Sequence, residues 1–162
     1  MKKVLISTII SLILILSSCN ASNSYRDNVS CKNIAAEMLD EINSFGEVSS
    51  YSEDDVRLLF GNTSLFDDFS VIYSTDANDI NEIGIFHCKD DKSAKEFLTV
   101  AKGYINEQQE NQRAFIASYA PREVPKLDSA EARSYGNYVI YAILNEEAKN
   151  EVFSEARELL KK

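Results

Sequence analysis

His87 is the only histidine of the chain, and Cys88 follows it directly. A thiol beside an imidazole is the pairing a cysteine nucleophile needs, and both groups can ligate zinc. The spacing argues against either use. In a strand, neighbouring side chains point to opposite faces, so His87 would lie with Ile83 and Ile85 while Cys88 faces away. A zinc site also needs three or four N or S ligands, and one His with two free Cys supplies three at most, two of them turned to opposite faces of one strand. No metal site and no catalytic residue is assigned on these grounds. Cys31 and Cys88 are instead a candidate disulfide, because an exported chain with two cysteines invites one and both lie at element ends. Two unlinked thiols are the alternative.

Carboxylates are the other source of chemistry. The stretch Asp76-Ala77-Asn78-Asp79-Ile80-Asn81-Glu82 is dense in oxygen ligands. It lacks the alternating order of an EF-hand loop, so a solvated turn is the favoured reading over Ca²⁺ binding. Acidic pairs occur at Asp54-Asp55, Asp67-Asp68 and Asp90-Asp91. Two of these open helices, where carboxylates suit the positive pole. Tyr104, Tyr119, Tyr135, Tyr138 and Tyr141 gather in the second half, and tyrosine serves binding surfaces well. Ordinary core positions are the preferred account of them. No Gly-X-Ser-X-Gly elbow and no Gly-rich phosphate loop occurs, so no cofactor is expected.

The most specific chemistry lies at the N-terminus. Lys2 and Lys3 precede an apolar run from Val4 to Leu16, and Leu16-Ser17-Ser18-Cys19 follows. A membrane-spanning helix needs roughly 20 apolar residues, so the run is short for a span and fits a secretory signal peptide. Leu16 to Cys19 resembles the lipobox of bacterial lipoproteins. Cys19 is therefore the expected lipidation site, its thiol carrying a diacylglycerol. Two acyl chains hold a membrane where one is marginal. The expected location is the extracytoplasmic face of the cell membrane. Position 20 is Asn, not Asp, so no inner-membrane retention signal is evident.

Three segments follow from this reading: residues 1–18 as a lipoprotein signal peptide, 19–29 as the lipidated Cys and a flexible tether, and 30–162 as one domain. The nine residues Asn20 to Asn28 would reach at most about 30 Å. Within the domain, Ile34, Ala35, Met38, Leu39, Ile42 and Phe45 predict a helix from Cys31 to Phe45, stopped by Gly46. Ser52 with Asp55 caps a short second helix closed by Gly61. Phe69 to Ser74 and Glu82 to Cys88 read as a hairpin. Asp90-Asp91 opens a third helix that ends before Pro121. Ala130 to Tyr135 and Tyr138 to Leu144 form a second hairpin about Gly136-Asn137, and Glu146 to Leu160 is the last helix. The expected fold is α+β: a small antiparallel four-stranded sheet of two hairpins with helices packed on it, in the order α-α-β-β-α-β-β-α. Tyr138 to Leu144 is apolar on both faces, so it should lie inside the sheet.

Four short motifs carry a resemblance: Glu82-Ile83-Gly84-Ile85-Phe86, the helix after Asp90-Asp91, Tyr119-Ala120-Pro121-Arg122-Glu123, and Gly136-Asn137-Tyr138-Val139. With the lipobox, they make the chain similar to a family of uncharacterised bacterial lipoproteins, a domain of unknown function common in low-GC Gram-positive anaerobes. The resemblance covers residues 33 to 160. It implies a location and a small α+β domain, and it brings no activity to carry over.

The formal charge of −9 becomes −11 without Lys2 and Lys3. Such an acidic chain lacks the basic footprint of a nucleic-acid binder. A charge of this sign also repels anionic lipid. The favoured function class is a non-enzymatic binding or interaction domain, held to the membrane through Cys19 and engaging a protein, a cell-wall component or a small ligand. The alternatives are a carboxylate-dependent enzyme acting on wall or exported substrates, and an accessory subunit of a membrane complex. Two facing carboxylates in a cleft, one with a raised pKa, would favour the enzyme.

Overall fold

The computed structural model describes residues 24–42 and 45–162. The predicted signal peptide, Cys19 and the first residues after it lie outside the described residues. The elements are α1 (Cys31–Glu41), β1 (Val48–Ser50), α2 (Glu53–Phe60), β2 (Phe66–Ser74), β3 (Glu82–Cys88), α3 (Asp91–Tyr119), α4 (Val124–Asp128), β4 (Glu131–Tyr135), β5 (Tyr138–Ile143) and α5 (Glu146–Leu160). Short 3-10 turns precede β2 and α4.

All strand pairs are antiparallel, in the order β1-β2-β3-β5-β4. The sheet has five strands rather than the expected four. The added strand, β1, is three residues long and pairs Val48 with Ser74 and Ser50 with Ile72. It is held by backbone hydrogen bonds, and its polar sequence carries no apolar alternation to announce it. With β1 and the short helix α4, also absent from the expectation, the element order is corrected to α-β-α-β-β-α-α-β-β-α.

Helices cover both faces of the sheet. On one face α1 and α5 pack on Ile83, Ile85, Ile140 and Ala142, with Met38 and Phe153 at the centre. On the other, α2 and α3 pack on Phe86, Val139 and Tyr141, with Phe60 and Phe97 between. All six residues of β5 are buried, because alternate side chains enter two different cores. Burying each large side chain contributes about 1.5–3 kcal/mol.

Local chemistry sets the element ends. Ser52 accepts the Asp55 N–H while the Asp55 carboxylate accepts the Ser52 N–H, a full capping box. α3 ends at Tyr119 ahead of Pro121. The β4–β5 turn needs Gly136, whose φ is +60°. α1 stops at Glu41, short of the expected Phe45. Ile42 leaves the helix with extended backbone yet stays buried, so its apolar character prolonged the helical stripe past the true end.

Ser24 to Val29 also departs from the expected tether. Tyr25 bridges to Lys161, the Arg26 N–H donates to the Leu160 carbonyl at 2.6 Å, and the Lys162 N–H donates to the Ser24 carbonyl at 3.2 Å. The Tyr138 hydroxyl takes the Val29 N–H at 3.0 Å and donates to the Val29 carbonyl at 2.7 Å. This strap is part of the folded body.

Candidate functional site

Glu82 is the first residue of β3, and strand alternation turns it toward the α3 face with Gly84, Phe86 and Cys88. It is a buried carboxyl. Three phenols from three separate segments close on it. Tyr51, before α2, donates to Oε2 at 2.8 Å. Tyr104, on α3, donates to Oε1 at 2.9 Å. Tyr141, on β5, donates to Oε1 at 2.6 Å.

Gly84 makes the third bond possible. It pairs directly with Tyr141 across β3 and β5, and the Tyr141 ring lies over the space a side chain would fill. A Cβ at Gly84 would sit 2.0 Å from Tyr141 Cε1. The missing side chain therefore lets the ring lie flat on the strand and reach Glu82.

Burial raises the Glu82 pKa, opposed by the three hydroxyl hydrogen bonds. Burial and then the neighbouring carboxylate push all three phenols above their usual range. The phenols therefore remain protonated donors. The cage can stabilise a negative charge in a low-dielectric setting, or hold a proton there.

The caged carboxyl lines a cavity of about 310 Å³. Such a volume falls at the small end of ligand sites. Tyr73 stacks near Tyr51, with centroids 4.9 Å apart and rings tilted by 35°. Leu59, Ile80, Phe115 and Ile143 supply apolar surface, and Gln108 and Gln112 supply amides. Phe115 remains 59% exposed and stacks on the exposed Tyr119 at 4.6 Å.

The acidic stretch before β3 does not converge on one point. Asp76 accepts the Asn78 N–H within the turn at 2.9 Å. Asp79 lines the cavity and accepts from Lys126 at 2.8 Å. Glu123 holds the same Lys126 ammonium at 2.6 Å. Burial opposes ionisation of Asp79, but the Lys126 hydrogen bond keeps its carboxyl below the usual range. Glu82 turns instead into the tyrosine cage. Among the predicted acidic pairs, Asp54-Asp55 and Asp90-Asp91 do begin α2 and α3. Asp68 reaches across to the start of α1, accepting the Cys31 N–H at 2.7 Å.

His87 shares its face with Ile83 and Ile85, and Cys88 faces the other core. The ring stacks near Tyr138 at 4.7 Å. Nδ1 meets Asp67 at 2.6 Å and Nε2 meets Asp27 at 2.9 Å. Both contacts are hydrogen bonds only when both nitrogens carry protons, as in imidazolium. Burial works against that charge, but the Asp27 and Asp67 carboxylates lift the pKa above its ordinary value. Asn137 also donates to Asp27, so His87 and Asn137 fasten the N-terminal strap.

Cys31 and Cys88, the candidate disulfide pair, are both free and buried. Cys31 belongs to the core on the α1 face and Cys88 to the core on the α3 face, yet the two thiols are near enough for Cys88 to raise the cost of ionising Cys31. Burial pushes both thiols up, Cys88 to about 12.

Tyr51 and Glu82 are the members of the cage that sequence reasoning passed over as site residues. Tyr51 stands in a polar stretch, and Glu82 read as the last acid of a turn. One signal was available. A charged residue opening an otherwise apolar strand needs partners if it is buried.

Fold and site together define a three-layer α+β domain with a caged carboxyl lining a cavity. Residues 43–144 match the family described as Domain of unknown function (DUF4358), and the chain belongs to that family. The matched segment is shorter than the expected 33 to 160. It holds all five strands and the four residues of the cage. No curated protein and no solved structure matches the chain.

Proposed function

We propose that the chain is a lipid-anchored extracytoplasmic protein whose domain is a non-enzymatic binding module, with the Glu82 cavity as its small-ligand site. The observation that carries the binding reading is the cavity itself. It combines aromatic and apolar walls with a few fixed polar groups, the usual make-up of a small-molecule site. The three phenols hold Glu82 without leaving it a mobile nucleophile. The anchoring half of the reading rests on Leu16 to Cys19 in the sequence. No helix among the described residues is long and apolar enough to cross a membrane. With Ser24 to Val29 bound to the domain, the five residues from Cys19 to Asn23 span at most about 17 Å. An anchored domain would sit close to the lipid surface.

Two measurements test the two halves. Cys19→Ala should move the protein from the membrane fraction to the soluble fraction. Unchanged membrane association in that variant would end the anchoring claim. For binding, the lipidated protein is extracted from its own membranes, and its retained small molecules are compared by mass spectrometry with those of Ile80→Trp, which fills the cavity. A compound lost in the variant supports the site. Identical profiles for both proteins would remove it.

The enzyme reading keeps one supporting observation. Asp79 and Glu82 line the same cavity, one carboxyl with a lowered pKa and the other with a raised pKa. Opposed shifts of this kind suit acid–base roles. Loss of wall-fragment turnover in Glu82→Gln, with the fold intact, would replace the binding reading by this one.

A further inference from the structure

The charge and shape of the Glu82 cavity narrow the ligand class. Among the described residues that line it are two carboxyl side chains, Asp79 and Glu82, and no Lys, Arg or His. The Lys126 ammonium, which pairs with Asp79, is held between Asp79 and Glu123. Those three groups together still leave a net negative charge. Phosphates and carboxylates would meet repulsion with no cation to receive them.

The wall opposite in character is aromatic. Tyr51 and Tyr73 form a tilted pair, and Tyr51 also donates to Glu82. Ring faces attract cations through their quadrupole, and more strongly where water is excluded. Inorganic cations are poorly served here. Ca²⁺ takes about six to eight oxygen ligands, while Glu82 already receives three hydroxyl bonds and half the wall is hydrocarbon. Among the described residues, no group of three or more His, Cys, Asp or Glu side chains is placed to hold a metal ion. A cation that carries its own alkyl surface suits both halves of the wall.

We propose that the Glu82 cavity binds a small organic cation, an amine or quaternary ammonium compound, with its charge toward Glu82 and its alkyl groups against Tyr51, Tyr73 and Phe115. This rests on the cavity being a ligand site and adds the chemical class. The cavity of about 310 Å³ limits the occupant to a compact molecule.

The test pairs a cation with its uncharged twin. Choline and 3,3-dimethylbutan-1-ol have nearly the same shape, and only the first is charged. Each is titrated calorimetrically into the full chain in non-ionic detergent, with tetramethylammonium and cadaverine as further cations. The expected result is a preference of about tenfold or more for choline over the alcohol. Glu82→Gln should remove that preference while thermal unfolding shows the variant folded. Tyr73→Leu, at a half-buried position outside the cage, should weaken the cations by a similar factor and provides a second route if Glu82→Gln folds poorly. Equal affinity for choline and the alcohol would overturn the cation class. If both are then lost in Ile80→Trp, the cavity remains a ligand site for neutral molecules. Absence of binding by all three cations up to about 10 mM would also overturn the class. The retained-ligand comparison judges the site independently of these probes.

Discussion

Gly84→Ala should be among the most damaging small substitutions in this protein, and its cost can be worked from the cage. The added Cβ would lie 2.0 Å from Tyr141 Cε1, 2.5 Å from Cζ and 2.7 Å from Cδ1. Carbon atoms pack at about 3.5–4.0 Å, so the ring must retreat by about 1.5 Å. Tyr141 is fully buried, among Phe60, Phe86 and Tyr104, and has no open side to move into. The 2.6 Å bond to Glu82 would open to about 4 Å and cease to be a hydrogen bond. Overpacking costs about 1–3 kcal/mol, and losing a hydrogen bond to a charged group about 1.5–3 kcal/mol. Together they give about 2.5–6 kcal/mol, a large share of the roughly 5–15 kcal/mol that holds a typical domain. Urea unfolding followed by far-ultraviolet circular dichroism measures it. A double-mutant cycle isolates the mechanism. With the ring removed by Tyr141→Ala, adding Gly84→Ala should cost less than about 1 kcal/mol. A loss below about 1 kcal/mol in the otherwise native chain would refute the reasoning, as would an equal loss in both backgrounds.

The remaining predictions concern titrating groups. His87 has a folded pKa above its ordinary value, so its ion pairs with Asp27 and Asp67 are fully present below about pH 6.5. Their contribution fades as pH rises through the raised folded value. Stability measured from pH 6 upward should therefore fall more steeply in the native chain than in His87→Gln. NMR titration of the imidazole should give a pKa above about 6.5, and a value at or below that figure would contradict the clamp. Cys31 and Cys88 should resist a thiol reagent at about pH 8 in the folded protein, since burial keeps both protonated. Two thiols per chain should appear on unfolding without reductant. Finding none before reductant is added would show a bridge instead.

Much of the architecture is written locally. The apolar stripes of α2, α3 and α5 follow the helical repeat. Ser52 and Asp55 mark one cap, Pro121 marks a helix end, and Gly136-Asn137 marks a tight turn. These signals are legible because each depends on residues within a few positions of one another. The doubly apolar pattern of β5 likewise announced an interior strand. β1 was not legible, because three residues bound only by their backbones leave no side-chain pattern. The end of α1 was misplaced because burial of Ile42 continues after its helix has stopped.

The cage is a different kind of fact. Tyr51 and Tyr141 lie 31 and 59 residues from Glu82, and Tyr104 lies 22 away. Their hydroxyls meet one carboxyl only because β3 and β5 pair in a register that sets Gly84 beneath Tyr141. The same holds for the two thiols, which the sequence left as a candidate bridge and the fold buries as free cysteines. The sequence alone determined the longer helices and the two hairpins, the acidic charge and the motif around Cys19. Tertiary structure decided that Glu82 is a buried partner of three phenols rather than a solvated turn acid. The physical reason is that strand register and helix packing bring distant side chains together, and no local spacing encodes that meeting.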